Sequence, residues 1–244
     1  MRAEDAGGPD PSPARRALAV RRSPYAEAVL ADRPASYWRL GEATGSEVAE
    51  DDAGAHEARV GQRYYTPALG LPGALAGDPS TAARLQEHAN LPVGDHCGFE
   101  GRAAFTAEAW VRPGVQDNRR RRILAKEAGL SGWYLALGAP SAAAGRLFLT
   151  RRHDGHGGNV EGQTAVPTTR WSHVAATYDG SVMRLYLNGT LEGSAPSTIA
   201  MADNAAPLTL GENPTGYDSF KGLLDEVAVY PALSAECALP PGLG

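Results

Sequence analysis

Cysteine, lysine and long apolar runs are scarce in this chain, and each shortage removes a class of explanation. The two cysteines, Cys97 and Cys237, are too few for a disulfide framework, and neither belongs to a Cys-x-x-Cys zinc pattern. Whether they pair depends on a Cα separation that sequence does not give. No apolar run reaches the ~18 residues that span a bilayer, so membrane insertion is not expected. Residues 1–23 lack the continuous apolar block of a secretory signal, so signal-driven export is not expected either. The shortage of lysine, two against 21 arginines, fits a GC-rich coding sequence and implies no function. A formal net charge of -5 argues against nucleic acid as the main partner, because phosphate neutralisation needs clustered cations. One cluster exists, Arg119 to Arg122. It follows Pro113-Gly114 and precedes Ile123-Leu124, and reads as a solvated loop entering a strand, with a binding patch as the alternative.

What the chain does have is turns. Its 244 residues include 29 Gly and 18 Pro, which suit many short strands better than long helices. Thr168 to Gly193 is the clearest stretch. Val182, Arg184 and Tyr186 alternate with Met183, Leu185 and Leu187, and the run is bounded by the turn dipeptides Asp179-Gly180 and Asn188-Gly189. In Phe105 to Arg112, one face carries Phe105, Ala107, Ala109 and Val111. The other carries Thr106, Glu108, Trp110 and Arg112, the mixture expected of a sheet surface that is partly covered or lines a groove. For Trp110 itself, core packing is the first reading and a binding platform the second.

Further strands are expected at Tyr37–Leu40, Ala82–Leu85, Ile123–Lys126, Trp133–Leu137, Arg146–Arg151, Trp171–Tyr178, Pro207–Leu210 and Leu223–Tyr230. Together they are enough for two stacked sheets. Tyr25 to Leu30 predicts a helical turn that Arg33-Pro34 stops. Residues 1–23 read as a flexible arm, 24–237 as one all-β domain, and 238–244 as a tail.

Six blocks in order resemble the laminin-G-like jelly roll of the concanavalin A-like lectin and glucanase superfamily. They are Tyr37–Glu42, Phe105–Val111, Trp171–Gly180, Leu185–Gly189, Leu208–Gly211 and Phe220–Tyr230, the last followed by Leu233-Ser234. The resemblance implies an antiparallel two-sheet jelly-roll β-sandwich. The opening block Tyr25–Glu42 is similar to such domains in bacterial and bacteriophage surface and tail proteins.

Relatives of this kind often hold a calcium ion near the chain ends. The resemblance therefore implies one structural calcium on Glu42 and Asp225, with Asp78 as a third contributor; the alternative is that Asp225 and Glu226 hydrogen-bond backbone where the terminal strands meet. Retaining glucanases of the superfamily carry a Glu-x-Asp-x-x-Glu strand, and this chain has none. Glu47 to Asp52 is acidic but wrongly spaced, and Glu108 stands alone on its strand. Ser172 and His173 are adjacent on a strand, point to opposite faces and cannot pair, so His173 reads as structural. His153, Asp154 and His156 read as a solvated turn ahead of a metal site. Asn188-Gly189-Thr190 fits a glycosylation acceptor, but its turn role suffices.

The expectation is a non-catalytic recognition module using rim loops, Gly145 to Gly162 and Ala200 to Asp218. Within them His156, Asn159, Asn213 and Tyr217 have the stacking and hydrogen-bonding chemistry that sugars require. The partners expected are virion proteins or cell-surface glycans, with a homo-oligomer as a further option, at a virion or extracellular surface. A structural virion protein anchored by its N-terminal arm is the alternative, and a glycoside hydrolase a more distant one.

Overall fold

The computed structural model describes residues 23–61, 65–138 and 144–231. Residues 1–22 of the arm, the tail and Cys237 lie outside the described residues. The elements are α1 (Pro24–Ala31), β1 (Ser36–Trp38), β2 (Val48–Ala49), β3 (Ala58–Arg59), β4 (Ala68–Pro72), β5 (Thr81–Leu85), β6 (Leu91–Gly94), β7 (Phe105–Pro113) and β8 (Arg121–Ala128). They continue with β9 (Ser131–Leu137), β10 (Arg146–His153), β11 (His156–Ala165), β12 (Ser172–Tyr178), β13 (Val182–Leu187), β14 (Thr190–Pro196), β15 (Leu208–Leu210) and β16 (Gly222–Pro231).

Among the described residues the larger sheet runs β14-β13-β12-β7-β16-β5-β4, with β1 also paired to β16. The smaller sheet runs β11-β10-β9-β8-β15-β6, and β2 with β3 forms a short ribbon. Neighbouring strands are antiparallel in both sheets. This is the two-sheet jelly-roll sandwich that the six sequence blocks imply.

Period-two alternation is the cause. Along β7 every odd residue from Phe105 to Pro113 is buried and every even one is half-exposed, as the pleat requires. The core between the sheets holds Phe99, Phe105 and Trp133 in mutual contact, with ring centroids 4.5 to 5.6 Å apart. Each such side chain contributes about 1.5–3 kcal/mol on burial. The two fully buried indoles are satisfied: that of Trp133 donates to the Cys97 carbonyl at 3.1 Å, and that of Trp38 to the His56 carbonyl at 2.8 Å. At the β13–β14 turn Asn188 and Gly189 both take positive φ, 50° and 79°, as a tight hairpin demands.

Helix α1 and strand β16 shape the outer face of the larger sheet. Ser23 caps α1, its side chain accepting from the Ala26 amide, and Pro24 supplies a preset first turn. The helix buries Ala26 and Val29 against Tyr37 and Ala228, which lie on that outer face. Strand β16 changes partner halfway: Gly222 to Leu224 pair with β5, and Val227 to Val229 with β1. A bulge at the changeover shifts the register between Asp225 and Ala228 and puts Glu226 at φ 49°.

The structure corrects two expectations here. The 145–162 segment is not a rim loop but mostly the β10–β11 hairpin, with Asn159 facing Thr150 along it. Half of the arginine run is not solvated. Arg121 and Arg122 lie inside β8 and are buried, because Asp117 and Glu127 neutralise them and Tyr134 accepts the Arg122 guanidinium 3.4 Å above its ring.

Candidate carbohydrate-binding cleft

The outer face of the larger sheet and the flank of α1 enclose a cleft of about 490 Å³. Its floor comes from neighbouring strands in fixed register. His173 on β12 lies opposite Trp110 on β7, and Ala175 lies opposite Glu108. On the other side Asp225 faces Trp110 and Ala228 faces Glu108. The two small alanines beside Glu108 leave room for its diagonal neighbours to reach it. His173 Nε2 stands 3.1 Å from Glu108 Oε2, and the Tyr230 hydroxyl donates to Glu108 Oε1 at 2.6 Å. Burial pushes the Glu108 carboxyl up, but the bonds to His173 and Tyr230 outweigh it and hold the group below its ordinary range. Burial and the nearby Glu108 charge push the Tyr230 phenol far up.

Aromatic surface forms the rest. Tyr25 of α1 meets Trp110 edge-on, with centroids 6.3 Å apart, and His173 stands 5.5 Å from the same indole. The Trp110 N–H is buried and makes no hydrogen bond. Burial and then the Glu108 charge raise the Tyr25 phenol, and the nearby Trp110 N–H offsets them only in part, without reaching bonding geometry. Asn188 closes one end, clipped to β12 by its Oδ1, which accepts from the His173 amide at 2.9 Å. Asp32, which caps the last turn of α1, also lines the cleft.

Trp110 is therefore a cleft residue and not part of the core between the sheets, and His173 shares the cleft with it. Ser172 is fully buried on the opposite face, as adjacent strand residues must be. The alternation of β7 signalled a groove in the sequence. Tyr25, His173, Asn188 and Tyr230 were not legible as its lining, because only sheet register and helix docking bring them together.

The residues expected to bind sugar are split into two pairs. His156 and Asn159 are exposed on edge strand β11, while Asn213 and Tyr217 sit in the loop beside β8. Strands β11 and β8 are three strand intervals apart, roughly 14 Å. Asn213 is occupied in shaping its own turn, its Oδ1 accepting from the Thr215 amide at 2.7 Å. Tyr217 is 66% exposed.

The calcium set is not assembled. Arg39 bridges Asp78 at 2.8 Å and Glu226 at 3.2 Å, so a guanidinium supplies the positive charge there. Asp225 Oδ2 accepts from the Ala74 amide at 2.7 Å while its Oδ1 is buried without a partner, and burial pushes the carboxyl up to about 7. Glu42 accepts from the Glu50 amide at 2.9 Å. Among the described residues no three His, Cys, Asp or Glu side chains converge on a common cation position. Glu42, Asp78 and Asp225 do not fit calcium as a donor set. His153, Asp154 and His156 form the β10–β11 turn.

The sequence profile of the concanavalin A-like lectin/glucanases superfamily, in its laminin G form, matches residues 85–236. The chain belongs to this superfamily. Solved structures share its fold at low identity. Domain 4 of AbnA, a GH43 extracellular arabinanase from Geobacillus stearothermophilus seen in complex with arabinotriose, is 20% identical with a TM-score of 0.61, covering 82% of this chain and 92% of that one. The binding domain of Paraclostridial Mosquitocidal Protein 1 is 17% identical with a TM-score of 0.61, and that of Botulinum neurotoxin serotype D 14% identical with 0.56. This member of the superfamily covers 49% of each toxin binding domain, about half their length, while 82% and 83% of its own chain is matched. No curated protein matches the sequence.

Proposed function

We propose that the chain is a non-catalytic carbohydrate-recognition module whose ligand, a neutral sugar chain, lies in the cleft between α1 and the larger sheet. The observation that carries this reading is Trp110: a half-exposed indole, set between Tyr25 and His173, whose buried N–H no protein group accepts. An unsatisfied buried donor costs about 1–3 kcal/mol, and a ligand oxygen that meets it recovers that cost. Aromatic faces suit the apolar faces of sugar rings, and Asn188 and Glu108 border them with polar groups. The arabinanase domain seen with arabinotriose and the toxin binding domains support the same reading.

The hydrolase alternative has less support. Glu108 is bonded on both oxygens and held ionised, whereas a general acid for glycoside cleavage needs a raised pKa and a positioned second carboxylate. The setting we propose is an extracellular or virion surface, a phage tail or decoration protein being the specific case, on the strength of the Tyr25–Glu42 block. Deleting residues 1–22, which spares the Ser23 cap of α1, is expected to abolish particle association while leaving sugar binding intact, and retained association would discard the anchoring idea.

The test of the cleft is calorimetric titration with arabinotriose alongside a neutral-glycan array. Trp110→Phe keeps the ring and removes the N–H, and is expected to weaken binding about five- to tenfold. An array pattern unchanged in Trp110→Ala overturns the assignment.

A further inference from the structure

A second cleft, of about 570 Å³, opens at the rim between the β7–β8 loop and the loop that joins β15 to β16. Glu87, His88, Arg119, Arg120, Tyr217 and Asp218 line it. Its charges do not balance. Glu87 is paired with Lys221 and lies 3.7 Å from Arg121, which also holds Asp117 at 2.5 Å. Asp218 lies 3.4 Å from Arg122. The acids lining the cleft are thus spent on Lys221, Arg121 and Arg122. Arg119 and Arg120 form no ion pair among the described residues, and the Arg120 Nε is buried without a hydrogen-bond partner.

Both walls are held in place before any ligand arrives. Asp117 Oδ1 accepts from the Arg119 amide at 3.3 Å and from Arg121 Nε at 3.1 Å. Gly138, at φ 66°, lets the Arg119 carbonyl approach to where a Cβ would stand only 2.6 Å away. On the facing wall Asn213 exchanges backbone and side-chain bonds with Tyr217, and the His88 ring contacts the Gly216 carbonyl at 3.1 Å. The Tyr217 ring is left projecting at the mouth, 66% exposed.

We propose that this rim cleft binds the acidic residue of an anionic saccharide, with Arg119 and Arg120 gripping its carboxylate or sulfate and Tyr217 stacking on the sugar ring. The guanidinium fork matches planar and tetrahedral oxyanions, and an exposed aromatic at the same mouth adds an apolar face that a bare ion would not use. This site is independent of the cleft under α1.

The experiment is calorimetric titration of the full chain with three trisaccharides of equal length: a galacturonate, a sulfated galactan and a neutral galactan. The expected result is binding of at least one charged trimer about tenfold or more tighter than the neutral one. That preference should shrink severalfold between about 20 and about 200 mM salt, because the pair is near the surface. The double variant R119Q/R120Q should lose the preference, Tyr217→Ala should weaken it, and Trp110→Ala should leave the affinity for the charged trimer itself unchanged within about twofold. Which charged trimer binds assigns the anion. Equal affinity for all three trimers, a preference that survives in R119Q/R120Q with an unchanged melting temperature, or a charged-trimer affinity lost in Trp110→Ala overturns the proposal. The last result alone separates failure of this site from failure of the neutral-sugar cleft.

Discussion

The cleft under α1 and the cleft at the rim are built in opposite ways. The first stands on three strands and a helix, and its carboxylate is satisfied: Glu108 is bonded to both His173 and Tyr230. What remains for a ligand is aromatic surface and one indole N–H. The second stands on loops, and its acids are consumed by Lys221, Arg121 and Arg122, so what remains is cationic. Internal pairing thus decides what each surface still offers. A site is described less by the residues that line it than by the bonds those residues have not already made.

The sharpest way to break this contrast is Trp110→Ala. It should weaken neutral-oligosaccharide binding by about 30- to 100-fold, some 2–3 kcal/mol, while changing the affinity of the rim for charged trimers less than twofold. Titration of both ligand classes against the variant measures it, and parallel losses would merge the two clefts into one.

A smaller effect is expected from Glu108→Gln, about 1–3 kcal/mol of stability at neutral pH, read by chemical denaturation. Its pH dependence has a definite sign. Because the folded Glu108 sits below the ordinary carboxylate range, its stabilisation is present above that range and is lost as pH falls through the folded value. The variant should therefore lose less stability than the parent on acidification.

On β16, next to the same cleft, burial pushes Asp225 up to about 7 and Glu226 up to about 8, the latter despite Arg39 at 3.2 Å. Groups raised in this way stabilise fully below the unfolded carboxylate value, and that contribution is lost as pH rises through about 7 to 8. Asp225→Asn should flatten the decline between about pH 5 and pH 8 by about 1–2 kcal/mol, and a slope unchanged in the variant would assign the effect elsewhere. The smallest change is Asn188→Ala. It removes the bond to the His173 amide and strains a residue at φ 50°, for about 1 kcal/mol measured by thermal melting.

The strands most visible in the sequence were those with one buried face. All ten expected runs overlap strands of the structure, and β7 and β13 follow their alternation residue by residue. The ones missed had a physical reason for being hard to see. Strand β11, HGGNVEGQTA, is an edge strand with glycines where neighbours crowd it; a Cβ on Gly157 would lie 2.2 Å from the Arg151 carbonyl. Strand β14 mixes Gly193, Ser194 and Pro196 and carries no clean alternation, yet it pairs along β13. The arginine run misled because charge density signals solvent unless partners exist. Glu127 and Tyr134, which bury Arg122, become neighbours only when β8 and β9 pair. The four expected sugar ligands came from two segments that turned out to be separate, one a hairpin and the other a true loop.

The sequence by itself determined the sandwich, because pleating puts alternate side chains on one side and the turn residues mark where each strand must reverse. It also marked the Trp110 face as different from a core face. Only the tertiary structure decided which side chains meet there. Glu108, His173, Tyr230 and Tyr25 come from three strands and a helix, and their proximity follows from register, from the bulge in β16 and from where α1 docks. These are long-range relations that no local pattern encodes, and the bonds they complete or leave open determine what the surface can bind.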